Sequence, residues 1–202
     1  MTMQEWLTQN GTRLDGKLAV ITGGSGSLGR AAAEHLCRLG ARVILAVRDT
    51  AKGETAAEVI RRAVPEAEVR AETLDLASLR SVSAFAERLK SQETQLDILL
   101  NCAGIYRQPI ATTEDGLELT YQVNAVAPLL LTQALLPLLE TAPHGRAVQM
   151  ISLSAYYATL DEDDWQARQV SSLTEVYARS KRLLALGTLA LGETTRARLL
   201  LA

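Results

Sequence analysis

The glycine-rich segment near the start of the chain constrains the fold most. A short apolar run, Leu18 to Thr22, leads into Gly23-Gly24-Ser25-Gly26-Ser27-Leu28-Gly29, and a helix is predicted from Leu28 to Leu39. Glycines at such a junction let the backbone turn sharply, approach a pyrophosphate and pack the helix against the strand. The free N–H groups at the start of the helix also attract phosphate. An ordinary tight turn is the alternative, but the strand before and the helix after favour dinucleotide binding.

Strands and helices alternate along the whole sequence. Gly40 is predicted to close the first helix, and Pro128 and Pro137 to kink the fourth. The alternation predicts an α/β fold, a Rossmann-type doubly wound parallel sheet in three α/β/α layers. The predicted strands are 18–22, 42–47, 68–74, 96–100, 147–152 and 198–202, and the predicted helices are 28–39, 51–64, 76–90, 114–140 and 174–193.

Length, charge and cysteine content restrict the class of protein. The 202 residues, 48% of them apolar, suit a single domain with a substantial core. The net charge of −2, with both signs interspersed, argues against a nucleic-acid-binding protein. Cys37 and Cys102 stand in apolar stretches without further metal ligands. Two free thiols in a reducing compartment and no metal site are therefore expected.

The sequence also gives an expectation about membranes. The polar N-terminus, Met1 to Lys17, lacks the apolar core of a signal peptide. The longest apolar run, Leu129 to Leu139, is interrupted by polar residues and Pro137, and it is shorter than the roughly 20 residues that a membrane helix needs. We expect a cytoplasmic protein without a membrane span.

The end of the second predicted strand discriminates between cofactors. A carboxylate there would bind the ribose 2′-hydroxyl of NAD, whereas an arginine accommodates the 2′-phosphate of NADP. Val47 occupies the acid position, Arg48 follows it, and Arg30 comes directly after the last glycine of the loop. Two guanidinium groups bind a phosphate well. Asp49 is the rival ribose ligand, but its position suits a helix N-terminus better, so NADP(H) is favoured.

Further cofactor ligands are predicted where the third and fourth strands end. Asp75, followed by Leu76, closes the third strand, where a carboxylate can accept from an adenine amino group; a helix N-cap is the alternative, and the two roles are compatible. Asn101, Ala103 and Gly104 follow the fourth strand at the edge where such sheets bind ligands. A short turn also favours Asn and Gly for backbone reasons alone.

The candidate catalytic residues lie in the second half of the chain. Tyr177 and Lys181 are four residues apart near the start of a predicted helix and so share one face. A phenol ionises near pH 10, and a neighbouring ammonium favours the phenolate. Ser152 ends the fifth predicted strand, where its hydroxyl can bond a substrate carbonyl. Asn124 places an amide in an otherwise apolar stretch of helix. This amide needs a hydrogen-bond partner, and it could hold a kink or a water. The alternative for Tyr177 and Lys181 is a surface lysine packed over a tyrosine. The alternative for Ser152 and Asn124 is a buried polar side chain with local hydrogen-bond partners.

Together these residues resemble the short-chain dehydrogenase/reductase family, from Gly16 to about Glu193. The resemblance rests on motifs that follow one another in the order and at the spacing of the family. They are the glycine segment, Asp75, Asn101 to Gly104, Asn124, Ser152, and Tyr177 to Lys181. Other stretches are similar to the retinol-dehydrogenase-like branch, namely 43–53, 74–78 and 114–118.

The resemblance implies a role for each residue. Tyr177 is the general acid/base. Lys181 lowers its pKa and holds the nicotinamide ribose, so both residues also bind cofactor. Ser152 orients the carbonyl, and Asn124 anchors a proton-relay water. The implied reaction interconverts an alcohol and a carbonyl on an apolar small molecule, with NADP(H) carrying the hydride.

The sequence departs from the family pattern at four places. Ser27 stands where most close relatives have glycine, and the glycine spacing instead matches extended members such as sugar epimerases. Cys102 replaces a usual asparagine and Ile151 a usual serine. Relatives also continue past the sixth strand into segments that cover the nicotinamide and build the substrate pocket. We therefore expect residues 1–202 to be one C-terminally incomplete dinucleotide-binding domain, with weak turnover alone and a tendency to form homo-oligomers.

Two other functions stay open from the sequence. One is a catalytically weak or silent protein that binds a nucleotide or a partner, and it is motivated by the expected missing segment. The other is an epimerase or dehydratase of the extended type, which only the glycine spacing suggests and which the chain length disfavours.

Overall fold

The strands meet in one sheet. The computed structural model describes residues 11–106, 109–170 and 172–202. The strands are β1 (Leu18–Thr22), β2 (Arg42–Val47), β3 (Val69–Thr73), β4 (Ile98–Asn101), β5 (Arg146–Gln149) and β6 (Arg198–Leu201). All pair in parallel, in the order β3-β2-β1-β4-β5-β6. This order reverses direction between β1 and β4, so a crevice opens at their carboxyl ends.

The helices cover both faces of the sheet, which confirms the predicted Rossmann-type three-layer fold. They are α1 (Ser27–Arg38), α2 (Thr50–Ala63), α3 (Leu79–Gln92), α4 (Leu119–Thr141), α5 (Ser154–Tyr157) and α6 (Leu173–Gly192). Alternate β1 residues enter two cores: Val20 joins Phe85 of α3 and Leu131 of α4, whereas Ile21 joins Ile60 of α2. A strand covered on both faces is apolar throughout, as β1 is.

Most predicted boundaries agree with the structure to within two residues. The predicted left-handed closure after α1 is present at Gly40, whose φ is +94°. The third helix starts three residues later than predicted because the Ser78 hydroxyl caps it, accepting from the Ser81 N–H. No sequence pattern predicted the short helix α5 after β5.

Helix α4 differs most from its prediction. It begins at Leu119 rather than Glu114, because the Glu118 carboxylate accepts from the Tyr121 N–H at 2.8 Å and caps the first turn. A wide π-turn, Gln122–Val126, follows before Pro128, which lacks a backbone N–H. The π-turn thus lies just before Pro128, and the α-helix continues through Pro137, while the kinks at the two prolines stay predictions.

Helix α4 also bears on the question of membranes. Among the described residues it alone is long and apolar enough, by length and composition, to cross a membrane. Most of its apolar stretch is buried against the sheet and α3, as expected of a core helix. The expected absence of a signal peptide rested on the polar N-terminal segment. Residues 1–10 of that segment lie outside the described residues.

Candidate active site

A cleft of about 540 Å³ opens at the carboxyl ends of β1 to β4. Most of the predicted cofactor-binding residues line it. These are Gly23, Ser25, Gly26, Ser27, Leu28, Gly29, Arg48, Asp75, Leu76, Ala103 and Gly104. Arg30, Asn101, Tyr177 and Lys181 were also predicted to bind the cofactor, but they are not among its lining residues. Cys102, Ile105 and Val123 line it although no sequence pattern pointed to them.

The glycine loop is shaped by close backbone contacts. Gly23 has φ +69°, and a Cβ there would lie 2.9 Å from the Cα of Ala103. A Cβ on Gly29 would lie 2.5 Å from the Gly23 carbonyl oxygen. Both positions therefore exclude any larger side chain, and they bring the start of α1 directly against the end of β1.

The start of α1 is suited to hold a pyrophosphate. Gly26 precedes the helix and supplies no side-chain cap, whereas Asp49 caps α2. The first backbone N–H groups of α1 thus face the cleft without a competing side chain, as phosphate binding requires. The glycine cradle and the cleft volume fit a dinucleotide.

The two arginines proposed for the 2′-phosphate occupy different places. Arg48 is exposed and lines the cleft. Arg30 is exposed on α1, outside the set of residues that line it. Asp49 accepts from the Lys52 N–H at 3.1 Å as the N-cap of α2, which confirms the helix-terminal role inferred from sequence. Arg48 is therefore the arginine whose position suits a nucleotide phosphate.

Asp75 lies in the cleft wall but does not cap a helix. Its Oδ1 accepts from the Ala77 N–H at 3.0 Å, and its own N–H donates to the Ser81 hydroxyl. The N-cap alternative for Asp75 was wrong, because Ser78 caps α3. The turn leaves Asp75 half-buried beside Leu76 in the lining of the cleft.

Asn101 points away from the cleft. The side chain is 2% exposed, and its amide donates to the Thr132 hydroxyl at 3.0 Å, which also accepts from Gln149. The Asn101 side chain thus joins β4 to β5 and α4, which differs from the cofactor contact expected. The neighbouring Ala103 N–H is held by the Thr22 hydroxyl at 3.1 Å, and this bond fixes the loop that lines the cleft.

Lys181 places a buried ammonium close to Gly104, which lines the cleft. It is 4% exposed, and its Nζ donates to the Met150 carbonyl at 2.7 Å. It also lies 3.6 Å from the position that a Cβ on Gly104 would take. Burial lowers the pKa of Lys181 to about 8, and the nearby Cys102 opposes this shift. Burial in turn raises the pKa of the Cys102 thiol, against the Lys181 charge.

Tyr177 stands next to this ammonium. The Lys181 Nζ lies 6.0 Å from the centroid of the Tyr177 ring, one helical turn away on the same face of α6. The ring of Tyr106 meets Tyr177 edge-on, with centroids 4.8 Å apart and planes at 71°. Tyr106 comes two residues after Gly104, where the sequence motif ends, so no pattern pointed to it.

Asn124 is fully buried in the π-turn of α4 and binds the loop after β4. Its Oδ1 accepts from the Ile105 N–H at 2.8 Å, and its Nδ2 donates to the Ile105 carbonyl at 2.9 Å and to the Ser180 hydroxyl at 3.2 Å. The sequence predicted that this amide needs a hydrogen-bond partner, and it has several. Its partners are the loop and α6.

Ser152 lies beyond the sheet. The fifth strand ends at Gln149, so the prediction that Ser152 ends it was wrong by three residues. The Ser152 oxygen accepts from the Ser154 N–H at 3.2 Å and from the Ser154 hydroxyl at 2.9 Å. Both bonds use lone pairs of Ser152, which leaves its own proton free to bond another oxygen.

The described residues contain no group of three or more His, Cys, Asp or Glu side chains that could hold a metal ion. Cys37 and Cys102 are free thiols, as the sequence analysis expected.

Comparison with known proteins decides the family. A family model described as short chain dehydrogenase matches residues 17–161. The chain belongs to the short-chain dehydrogenase family. The family is one of oxidoreductases that use nicotinamide cofactors, and its model covers the glycine loop, Asp75, Asn124 and Ser152.

Several curated members of the family are similar in sequence. Human retinol dehydrogenase 14 is 40% identical over 181 residues, which cover 83% of this chain and 54% of that protein. Human retinol dehydrogenase 13 is 38% identical over 177 residues, 87% of this chain and 53% of that protein. The chain thus spans about half the length of these relatives.

Solved structures of the family share the fold. A protein from Mycobacterium paratuberculosis superposes with a TM-score of 0.80 at 33% identity, covering 93% of this chain and 67% of that one. A short-chain dehydrogenase from Shigella flexneri in complex with NADP superposes with a TM-score of 0.72 at 27% identity, covering 92% and 74% of the two chains.

Proposed function

We propose that this protein is an NADP(H)-dependent oxidoreductase that interconverts an alcohol and a carbonyl on an apolar small molecule. One observation carries the proposal. The cleft runs from an uncapped helix start to Gly104. The buried Lys181 ammonium lies just outside its lining, 3.6 Å from the position that a Cβ on Gly104 would take, and beside the Tyr177 ring. This proximity supports a nucleotide site next to a proton-transfer pair.

The cofactor would be held by the residues of the cleft. The N–H groups at the start of α1 would bind the pyrophosphate, and Asp75 would accept from the adenine amino group. Arg48 would bind the 2′-phosphate, since it lines the cleft and Val47 occupies the acid position. Lys181 would bind the nicotinamide ribose. When bound, NADP(H) supplies or accepts the hydride.

Tyr177 would exchange a proton with the substrate oxygen as general acid/base. The buried Lys181 ammonium would stabilise the negative charge that develops on the phenol oxygen, because charges interact more strongly away from water. Ser152, whose proton is free, would donate to the carbonyl oxygen and orient it. The Asn124 side chain would act by holding the loop and α6 together.

An apolar substrate agrees with the surface next to Ser152. Leu153, Tyr156 and Tyr157 are each at least 80% exposed, and they follow Ser152 in α5 and its N-cap. Relatives named retinol dehydrogenases point in the same direction. A panel of apolar and polar aldehydes with NADPH tests this class, and a preference for the polar members contradicts it.

Cofactor titration tests the selectivity directly. Wild-type protein should bind NADPH more tightly than NADH, measured by quenching of tryptophan fluorescence. Arg48→Ala should weaken NADPH binding by about 10- to 100-fold and leave NADH binding unchanged, as expected for the loss of a charge-assisted bond of about 1.5–3 kcal/mol.

Arg62→Ala is the matched control, since Arg62 is exposed, lies outside the cleft and pairs only weakly with Glu58 at 3.8 Å. It should bind both cofactors like the wild type. Arg30→Ala should have a smaller effect than Arg48→Ala because Arg30 does not line the cleft. Equal affinity of the wild type for the two cofactors would contradict the NADP(H) assignment.

The cytoplasmic location and the formation of homo-oligomers are also proposals. Leu200 and Leu201 are partly exposed on β6, and exposed apolar side chains favour association. Light scattering on the purified chain tests association, and cell fractionation tests the location.

A further inference from the structure

Tyr106 makes two contacts with the helix that carries Tyr177. Its ring meets the Tyr177 ring edge-on, with the centroids 4.8 Å apart. Its hydroxyl lies 3.4 Å from the hydroxyl of Thr174, one turn earlier on α6. Edge-to-face aromatic pairs have a preferred geometry, so the contact restricts the orientation of both rings.

The backbone that carries Tyr106 is itself fixed to α6. Asn124 accepts from and donates to the backbone of Ile105, directly before Tyr106. The same amide donates to the Ser180 hydroxyl, which donates to the Tyr177 carbonyl at 2.7 Å. The contacts therefore form a closed circuit from the Tyr177 ring through Tyr106, the loop, Asn124 and Ser180 back to the Tyr177 backbone.

We infer that Tyr106 is a positioning residue that holds the Tyr177 ring in the orientation needed for proton transfer, an inference that rests on the proposed function. Tyr177 is half-buried at the rim of the site. Its ring would otherwise reach alternative rotamers on the open side. Proton transfer requires the phenol oxygen within hydrogen-bond reach of the substrate oxygen. Tyr106 supplies the ring contact that restricts these rotamers, and its hydroxyl takes no part in the chemistry.

Two substitutions separate ring packing from hydroxyl chemistry. Tyr106→Leu removes the aromatic edge, and kcat should fall about tenfold because misplacement of the acid/base weakens the reaction geometry. The NADPH Kd, the KM for the carbonyl and the pH at which kcat is half-maximal should stay the same. Tyr106→Phe keeps the ring and should restore wild-type kcat. Thermal unfolding of each variant shows whether the fold is intact.

These kinetics can also overturn the inference. If Tyr106→Phe loses as much activity as Tyr106→Leu, the hydroxyl acts and positioning by the ring is wrong. If KM or the NADPH Kd rises together with the loss of kcat, Tyr106 shapes the binding site instead. Wild-type kcat in Tyr106→Leu likewise overturns it.

A second measurement needs no turnover. In protein with ¹³C-labelled tyrosine rings, Tyr177→Phe identifies the Tyr177 ring signals. Tyr106→Leu should shift and broaden these signals, and Tyr106→Phe should leave them near the wild-type positions. If the wild type reduces no carbonyl, the proposed function fails, and this measurement still decides the packing. Unchanged Tyr177 signals in Tyr106→Leu overturn the inference even in an active enzyme.

Discussion

The nucleotide end and the catalytic end of the site are built in different ways. At the nucleotide end, one continuous loop of glycines presents backbone groups, and close contacts such as that between Gly29 and the Gly23 carbonyl shape it. At the catalytic end, Tyr177 and Lys181 come from α6 and Ser152 comes from the segment after β5. Side-chain hydrogen bonds hold this end together, because Lys181 of α6 donates to the Met150 carbonyl and Asn124 joins the loop after β4 to α6.

The difference has a consequence for mutation. A site formed by closely packed backbone is disturbed by added atoms, because moving the backbone segments apart costs free energy. A site made of side chains is disturbed by removed groups, because each one carries a separate chemical task. The first and last of the next three experiments test this distinction, and the second measures what the buried Lys181 charge costs the fold.

Removal of the Tyr177 hydroxyl should affect only the catalytic end. Tyr177→Phe should lower kcat by about 10²- to 10⁴-fold, the usual contribution of a general acid/base. The NADPH Kd should change little, because the ring and its packing on Tyr106 remain. Steady-state reduction of an aldehyde and a cofactor titration measure the two quantities. A Tyr177→Phe protein with wild-type turnover would exclude the mechanism.

Removal of the Lys181 charge should stabilise the fold at neutral pH. Burial lowers the pKa of Lys181 from 10.5 to about 8. The unfolded chain therefore binds this proton more tightly, and the stability that the group contributes above pH 10.5 is lost as the pH falls through about 8. At pH 7 the native protein bears a cost of roughly 3 kcal/mol for the buried charge.

Lys181→Met should thus raise the free energy of unfolding at pH 7 by about 2 kcal/mol, since loss of the bond to Met150 offsets part of the gain. The difference from wild type should shrink as the pH rises from 8 toward 10.5. Urea unfolding across this range measures it. Lys52→Met, at a lysine side chain that is 77% exposed, should show no such pH dependence. A Lys181→Met protein that is less stable than wild type at pH 7 would contradict the prediction.

Addition of one methyl group should disturb the nucleotide end. A Cβ at Gly29 would meet the Gly23 carbonyl at 2.5 Å, so Gly29→Ala must displace the loop. The free energy of unfolding should fall by about 1–3 kcal/mol, the usual cost of overpacking, and NADPH binding should weaken with it. Urea unfolding and a cofactor titration provide the test.

Gly192→Ala is the matched control, because a Cβ at Gly192, the last residue of α6, meets nothing within 4 Å. There the same change should be neutral or stabilising by up to about 1 kcal/mol. Equal effects of the two substitutions would show that the close contact at Gly29 does not constrain the loop.

Much of the fold was predictable because its signals are local. Apolar runs of strand length, the glycine loop and Gly40 gave β1 and β2 at their observed bounds and α1 to within one residue. The boundaries that failed depend on side-chain caps. Ser78 and Glu118 each start a helix later than hydrophobic periodicity indicated, because one hydrogen bond to a backbone N–H decides where a helix begins.

In the candidate site, too, some features follow from the sequence and others do not. The lining of the cleft by the glycine loop, Arg48 and Asp75 follows from their place at the ends of successive parallel strands, a position that the sequence determines. The helical spacing of Tyr177 and Lys181 is likewise a property of the sequence. What the sequence could not show is the environment of each group. Lys181 is buried by segments distant in the chain, such as the one that carries Met150, and only the structure shows that Arg30 does not line the cleft.

The sequence by itself determined the order of strands and helices, the family and the end of the sheet at which a nucleotide can bind, because these follow from local patterns and from the handedness of parallel crossovers. Only the tertiary structure decided that Asn101 turns into the core, that Asn124 fastens a loop to α6, and that Tyr106 packs on Tyr177. Such contacts join residues 19 to 71 positions apart. Packing selects among the orientations of each side chain, and no local pattern records that choice.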